Sequence, residues 1–367
     1  MEDSCHLGVR NKRSGKYCSA SQEGNKSKMT RRGNNRRPRL RTASFFSGIG
    51  GFDLGFAKAK YEITIQCETN PFCNAILEKH WPDVRRYEDI RELKNGDIPF
   101  SDVWTAGFPC QDLSLARMGR RDGLKGKKSG LFHEFARLLG EGRPRIVVIE
   151  NVPGLLSSHR GRDFEIVIRA LADVGYGVAW RVLNSKDFGV PQSRQRVFIV
   201  GSYRDWRSAA EILFEPQRRK GNTEENRPNG EKPVSPFKES VGDPLKGPVV
   251  QRLAYCLYAC SARHTGTDWS RTYVSYPAGR VRRLTPAECE RIQGFPKDWT
   301  LPPDPCLDTE ELDTLRYHAL GNAVTVNVAQ WLAGRVRNSL AKVAAASELK
   351  RSLATRVSDE AHPAMRG

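Results

Sequence analysis

TASFFSGIGGFDLGFAKAKYEITIQCE, residues 42–68, decides the fold. Thr42–Phe46 is a short apolar strand, and Ser47-Gly48-Ile49-Gly50-Gly51 is a glycine-rich turn. Phe52 to Ala59 reads as a helix, and Glu62 to Glu68 alternates apolar and polar residues with the period of a strand. A strand, a glycine turn, a helix and a second strand ending on an acid together make the first unit of an α/β sheet. In such sheets a ligand approaches the backbone closely at the carboxyl ends of the strands. Glu68 stands where an acid commonly takes ribose hydroxyls. A tight turn beside a solvated Glu is the plainer alternative. The turn lacks the full GxGxxG spacing, which weighs against a nicotinamide dinucleotide.

Working outward, the alternation continues. Asn70-Pro71 opens a helix through His80 in cap-then-Pro order. Asp102–Gly107 is strand-like, and Ser129–Gly140 carries a helical apolar stripe. Arg145–Glu150 (RIVVIE) is the continuous apolar run of a buried parallel strand. Phe164–Val174 is an amphipathic helix, and Tyr176–Leu183 and Arg196–Val200 are strands. The fold class is therefore α/β with a doubly wound, mostly parallel sheet. The pattern stops near residue 203, and residues 215–248 hold six Pro. Periodicity returns weakly at Val250–Ala259 and firmly at Pro286–Gln293; Leu320–Trp331 reads as one helix, and the last residues as a helix fraying into a tail.

The 367 residues carry 60 Lys plus Arg against 42 Asp plus Glu, a net +18 that favours a polyanionic partner such as nucleic acid. Residues 1–41 hold 12 Lys or Arg and 3 acids, half of that excess, with almost no apolar residues. This arm is expected to be disordered; phosphate binding and plain solvation both remain open for it. No bilayer-length apolar run and no secretory leader are evident, so a cytoplasmic protein without membrane contact is expected. Nine Cys, an odd count without CxxC, suggest free thiols in a reducing compartment and give no support to a metal site.

Four segments carry chemistry. The glycine turn and Glu68 are the first. In the second, Gly107-Phe108-Pro109-Cys110-Gln111, a Cys follows a sheet strand and is a candidate nucleophile. The basic, glycine-punctuated stretch 112–130 after it reads as a lid over a polyanion or as an ordinary solvated loop. The third is Glu150-Asn151-Val152, where a carboxylate ends a buried strand, costly without a partner or a task. Burial would raise its pKa. The fourth is Gln192-Ser193-Arg194-Gln195-Arg196, whose two arginines are expected on opposite faces, one for a phosphate and one for a carbonyl oxygen.

In this order the segments resemble the DNA (cytosine-5)-methyltransferases: FSGIGG (46–51), Glu68 in CETNPFC, Asp89-Ile90, GFPCQ (107–111), ENV (150–152), QSRQR (192–196), RRLTPAECERIQGFP (282–296) and GNAV (321–324). The resemblance spans 42–203 and 280–332. It implies a class I methyltransferase fold using S-adenosyl-L-methionine (AdoMet) to methylate carbon 5 of a flipped cytosine in a short duplex DNA sequence. Cys110 would attack carbon 6, Glu150 would contact nitrogen 3 and the exocyclic amine, Arg196 would hold the carbonyl oxygen, and Arg194 would bind nearby phosphate or the same site. Phe46 would stack near the adenine, Gly48, Gly50 and Gly51 would line the methionine end, Glu68 would take the ribose, Asp89 the adenine amine and Ile90 its ring. Asn322 would lie on the segment returning to the first strand. The resemblance implies a catalytic domain at 42–203 plus 315–345, a target-recognition region at 204–314 and a tail at 346–367. Base-reading candidates cluster in Arg263–Arg271. A monomer is expected, with a cognate restriction endonuclease as a partner that this class admits. A related class methylates cytosine in transfer RNA and tends to carry Pro-Pro-Cys-Gln; Phe108 before Pro109 favours DNA. A catalytically inactive DNA-binding homologue is the other alternative.

Overall fold

A computed structural model describes residues 39–109, 131–214, 240–242, 247–259, 272–303 and 308–360. The basic arm up to residue 38, Cys110 with the lid segment, and the base-reading candidates 263–271 lie outside the described residues.

The short apolar runs become strands buried on both faces. In β1 (Arg41–Phe45), Thr42, Ala43, Ser44 and Phe45 are each at most 1% exposed. The remaining strands are β2 (Glu62–Cys67), β3 (Arg85–Tyr87), β4 (Val103–Ala106), β5 (Ile146–Asn151), β6 (Tyr176–Asn184) and β7 (Gln195–Tyr203). They form one seven-stranded sheet in the order β3-β2-β1-β4-β5-β7-β6. Pairings from β3 through β5 are parallel, whereas β7 runs antiparallel to both β5 and β6. The order reverses at β1, between β2 and β4, which makes the carboxyl ends of β1 and β4 the natural crevice.

Helices cover both faces of the sheet. α3 (Leu131–Gly142) and α4 (Arg162–Asp173) bury Phe132, Phe135, Leu138, Val167 and Leu171 against one face. On the other, α1 (Gly51–Lys58), α5 (Trp206–Leu213) and α8 (Val326–Glu360) bury Phe56, Ile212, Leu332 and Val336. β5 shows how one strand serves both layers: Val147 and Ile149 face the first core, Ile146 and Val148 the second. A third cluster joins α2 (Pro71–His80), α6 (Pro286–Ile292) and α7 (Thr309–Asn322) through Ile76, Cys289, Trp299 and Leu320. Asn70 caps α2 as its sequence implies, its side chain accepting from the Cys73 N–H at 3.1 Å.

A second, antiparallel sheet has the order β11-β10-β9-β8, from β8 (Ser240–Val241), β9 (Val249–Gln251), β10 (Tyr273–Ser275) and β11 (Val281–Arg283). β11 leads directly into α6, whose start is fixed by a reciprocal Thr285–Glu288 capping box.

One expectation needs correction. Leu320–Trp331 is not one helix: α7 ends at Asn322, Ala323 is extended, and α8 starts at Val326. The Thr325 hydroxyl donates to Gln293 Oε1, and the break is fixed by such distant partners rather than by local pattern. The helix expected over the last residues is the continuation of α8, which runs through Glu360. Among the described residues, no helix is long and apolar enough to cross a membrane.

Candidate active site

The turn after β1 is built by backbone geometry. Phe46 (φ 54°), Gly48 (φ 55°) and Gly50 (φ 82°) occupy the left-handed region, reversing the chain into α1 within a few residues. Its α1 end is closed: a Cβ on Gly50 would lie 2.6 Å from the Trp81 ring, and one on Gly51 2.4 Å from the Val324 carbonyl oxygen. The GNAV segment therefore does return to the first turn, by packing on Gly51. A Cβ on Gly48 would meet nothing within 4 Å. Glu68 fixes this open stretch, one carboxylate oxygen accepting from Gly48 N at 2.7 Å and the other from Asn70 N at 2.8 Å. Burial pushes the Glu68 carboxyl upward, and these N–H donors pull against it.

The other expected cofactor residues are placed unevenly. Phe46 packs edge-on against Phe135 at 6.5 Å. Asp89 follows β3, whose Tyr87 carbonyl accepts from Glu68 N, so the two acids share one edge. The Asp89 carboxylate is held below the usual range by hydrogen bonds from Arg91. Ile90 is only 3% exposed and packs into the core. Asn322 is exposed at the end of α7.

At the carboxyl end of β5, Glu150 is 8% exposed and its Oε1 lies 3.0 Å from Arg196 Nε. The antiparallel course of β7 makes this pair: Glu150 registers opposite Phe198, so Arg196, at the start of β7, arrives beside the end of β5. Burial pushes the Glu150 carboxyl upward, while Arg196 and Arg194 oppose that push. The loop after β4 passes close by, a Cβ on Gly107 lying in ordinary contact with Glu150 Oε2 at 3.7 Å. Asn151 tethers that loop, donating from Nδ2 to the Phe108 carbonyl at 3.4 Å and accepting at Oδ1 from Val152 N at 2.8 Å. Chain connectivity then leads from Phe108 and Pro109 to Cys110, the first residue outside the description.

Arg194 departs from its expected place. Residues i and i+2 of an extended segment share a face. Accordingly, the guanidiniums of Arg194 and Arg196 both reach Cys256 Sγ, at 3.5 and 3.9 Å. Arg194 is 1% exposed and donates to the carbonyls of Leu257 (3.0 Å), Gly321 (3.0 Å) and Ala323 (2.8 Å). So committed, it is not available to a phosphate. It clamps the segment returning from the small sheet to the break between α7 and α8. Burial pushes its pKa down to about 10.

The family model for C-5 cytosine-specific DNA methylases matches residues 40–255 and 235–338. The chain belongs to this family. It is a DNA cytosine-5-methyltransferase, and members of the family use AdoMet. It is similar to the type II methyltransferase M2.BsuMI of Bacillus subtilis, 31% identical over 80% of this chain and 74% of that one. It is also similar to M.MthTI of Methanothermobacter thermautotrophicus, 32% identical over 81% and 97%. In structure it resembles the Dnmt2 methyltransferase of S. pombe, with a TM-score of 0.59 and 20% identity over 82% of this chain and 99% of that one.

This methylase also uses residues that the sequence reading left without a role. Asn151 was legible as part of ENV, but not its tether to Phe108. Asp53, in the first turn of α1, is 1% exposed and accepts from Ser44 Oγ at 2.9 Å and Gln66 Nε2 at 2.9 Å. It ties β1, α1 and β2 together behind the turn, and burial pushes its carboxyl up to about 6. An acid on the apolar side of a short helix was the available signal.

Proposed function

We propose that this methyltransferase transfers the AdoMet methyl group to carbon 5 of a cytosine flipped out of a short specific DNA sequence, through a Cys110 adduct at carbon 6. The observation that carries the reading is the buried Glu150–Arg196 pair, set 3.0 Å apart beside the loop that leads to Cys110. A carboxyl and a guanidinium side by side match the acceptor–donor edge of cytosine: Glu150 for nitrogen 3 and the exocyclic amine, Arg196 for the ring oxygen. A stacked base cannot reach a carboxyl that is 8% exposed at a sheet edge, which is why flipping belongs to the proposal.

The turn fits AdoMet. Gly48 leaves open space where any side chain would project, and Glu68 offers a carboxylate at the edge where a ribose would lie. When bound there, AdoMet supplies an electrophilic methyl group. The protein's own steps follow from its residues. The Cys110 thiolate forms a bond to carbon 6 while Glu150, whose carboxyl burial pushes upward, hydrogen-bonds nitrogen 3 and Arg196 stabilises the ring oxygen. Carbon 5 thereby becomes nucleophilic and takes the methyl group. Loss of the carbon 5 proton to a base re-forms the double bond and expels Cys110 as thiolate. The region 204–314 reads the sequence. The protein acts as a monomer, and the type II names of its relatives admit a cognate restriction endonuclease as a partner.

A duplex containing 5-fluorodeoxycytidine tests the adduct, because fluorine cannot leave as a proton does. With AdoMet, the wild type forms a complex that survives denaturation, and Cys110→Ser does not. An adduct retained by Cys110→Ser contradicts the assignment. Its absence in every sequence context, despite AdoMet binding, points to an inactive homologue.

A further inference from the structure

Trp299 lies 250 residues from Ile49 in sequence, yet its indole Nε1 donates to the Ile49 carbonyl at 2.9 Å. Ile49 stands between Gly48 and Gly50, in the middle of the turn proposed to take AdoMet. We propose that Trp299 is a positioning residue for that turn, holding it in its cofactor-binding form. The inference rests on the AdoMet reading of the turn.

Three observations support it. First, the hydrogen bond adds a fixed point to a turn that closes on itself only through Gly50 N, which donates to the Ser47 carbonyl at 2.9 Å, and leaves the Ile49 carbonyl for Trp299. A left-handed backbone at Phe46, Gly48 and Gly50 has many alternatives open to it, and a fixed carbonyl removes most of them. Glu68 holds the front of the turn through Gly48 N; Trp299 holds it at the next residue.

Second, Trp299 is itself immobilised. It is 6% exposed. Its ring stacks on His80 with centroids 3.4 Å apart and planes within 6°, and it meets Trp81 edge-on at 5.6 Å. Trp81 in turn abuts Gly50. The two indoles therefore form one wall behind Ile49 and Gly50.

Third, the loop bearing Trp299 is anchored on both sides. Lys79 Nζ donates to the Asp298 and Leu301 carbonyls at 3.1 and 2.9 Å. Opposite, the fully buried Glu290 accepts from Asp298 N at 2.6 Å and Thr300 N at 2.9 Å, and pairs with Arg316 at 3.1 Å. A buried carboxylate satisfied by two backbone donors and an arginine is a rigid support. The loop continues from α6, which follows β11 of the small sheet, so the same support joins that sheet to the turn.

The test is AdoMet affinity by calorimetry in Trp299→Phe, which keeps an aromatic ring and removes the N–H donor, with Glu68→Ala as the control. The expected result is an AdoMet dissociation constant raised about five- to tenfold in Trp299→Phe, with KM for AdoMet rising in parallel and KM for DNA within twofold of wild type. If Trp299→Phe fails to fold, β-(3-benzothienyl)alanine at position 299 replaces it, keeping the shape and losing only the donor. Unchanged AdoMet affinity in the folded variant, with Glu68→Ala weakened, overturns the role of Trp299 alone. Unchanged affinity in both variants overturns the cofactor reading of the turn.

Discussion

Glu150 Oε1 and Arg196 Nε are 3.0 Å apart, at the meeting point of two antiparallel strands, with side chains 10% and 14% exposed. Neither charge would be stable there without the other, because removing one partner of a buried pair leaves an uncompensated charge. Arg196→Met should therefore cost about 3 kcal/mol of stability and push the Glu150 carboxyl higher still. Glu150→Gln keeps the shape and a hydrogen-bonding group. It should fold with a near-native Tm while kcat falls about 10²- to 10³-fold, the scale of losing one preorganised charge-stabilising group. Thermal unfolding and single-turnover methylation of both variants check this.

Arg194 should behave differently from Arg196 although two residues away. Its guanidinium spans the carbonyls of Leu257, Gly321 and Ala323. Arg194→Met takes the Arg194 donor from the buried Gly321 and Ala323 carbonyls, at a cost of about 1 to 3 kcal/mol apiece before relaxation. Arg194→Lys should recover only part, since one ammonium cannot reproduce a planar fork. The expected signature is a lowered Tm in both, with Lys between wild type and Met. A DNA-binding loss without a stability loss would return Arg194 to a phosphate role.

Asp53 sets a pH dependence. Unfolded, an aspartate gives up its proton near pH 4; folded, Asp53 keeps it up to about pH 6. Its contribution to stability is thus complete below about pH 4 and is lost as the pH rises through about 6. The loss amounts to about 3 kcal/mol. Asp53→Asn has no proton to lose. Its Tm relative to wild type should therefore rise between about pH 4.5 and pH 7.5, by several degrees for a chain of this size. A pH-independent difference would contradict a protonated Asp53.

The N-terminal arm should add affinity without adding specificity. Residues 1–38 hold 10 Lys or Arg against 3 acids. A truncation should stop there, because Arg41 opens β1 and its N–H donates to Asp102 Oδ2 at 3.0 Å. The truncated protein should bind DNA more weakly, with a shallower dependence of log affinity on log salt, and methylate the same site. A changed site would mean that the arm reads sequence.

Much of this architecture was legible in residues 42–200 because buried parallel strands and capped helices are local signals. RIVVIE, Asn70-Pro71 and the glycine turn each announce themselves within a few residues. What was not legible depends on distant partners. Arg85-Arg86-Tyr87 forms β3 only because β2 offers an edge, and its polar composition hid it. The break at Ala323 reflects carbonyls claimed by Arg194, so helical periodicity ran straight across it. The site divides the same way. Glu68, Glu150 and Arg196 could be named from the strand ends they occupy. Arg194, Asn151, Asp53 and Trp299 owe their roles to contacts across the fold, which residue spacing does not encode.

The central claim is methylation of carbon 5 of cytosine in DNA. The direct measurement offers purified protein both plasmid DNA and transfer RNA with isotopically labelled AdoMet, followed by nucleoside mass spectrometry of each. Label in 5-methyl-2′-deoxycytidine from the DNA, and none in the RNA, is the predicted result. Label confined to 5-methylcytidine from transfer RNA, or placed on the exocyclic nitrogen of cytosine, would contradict it.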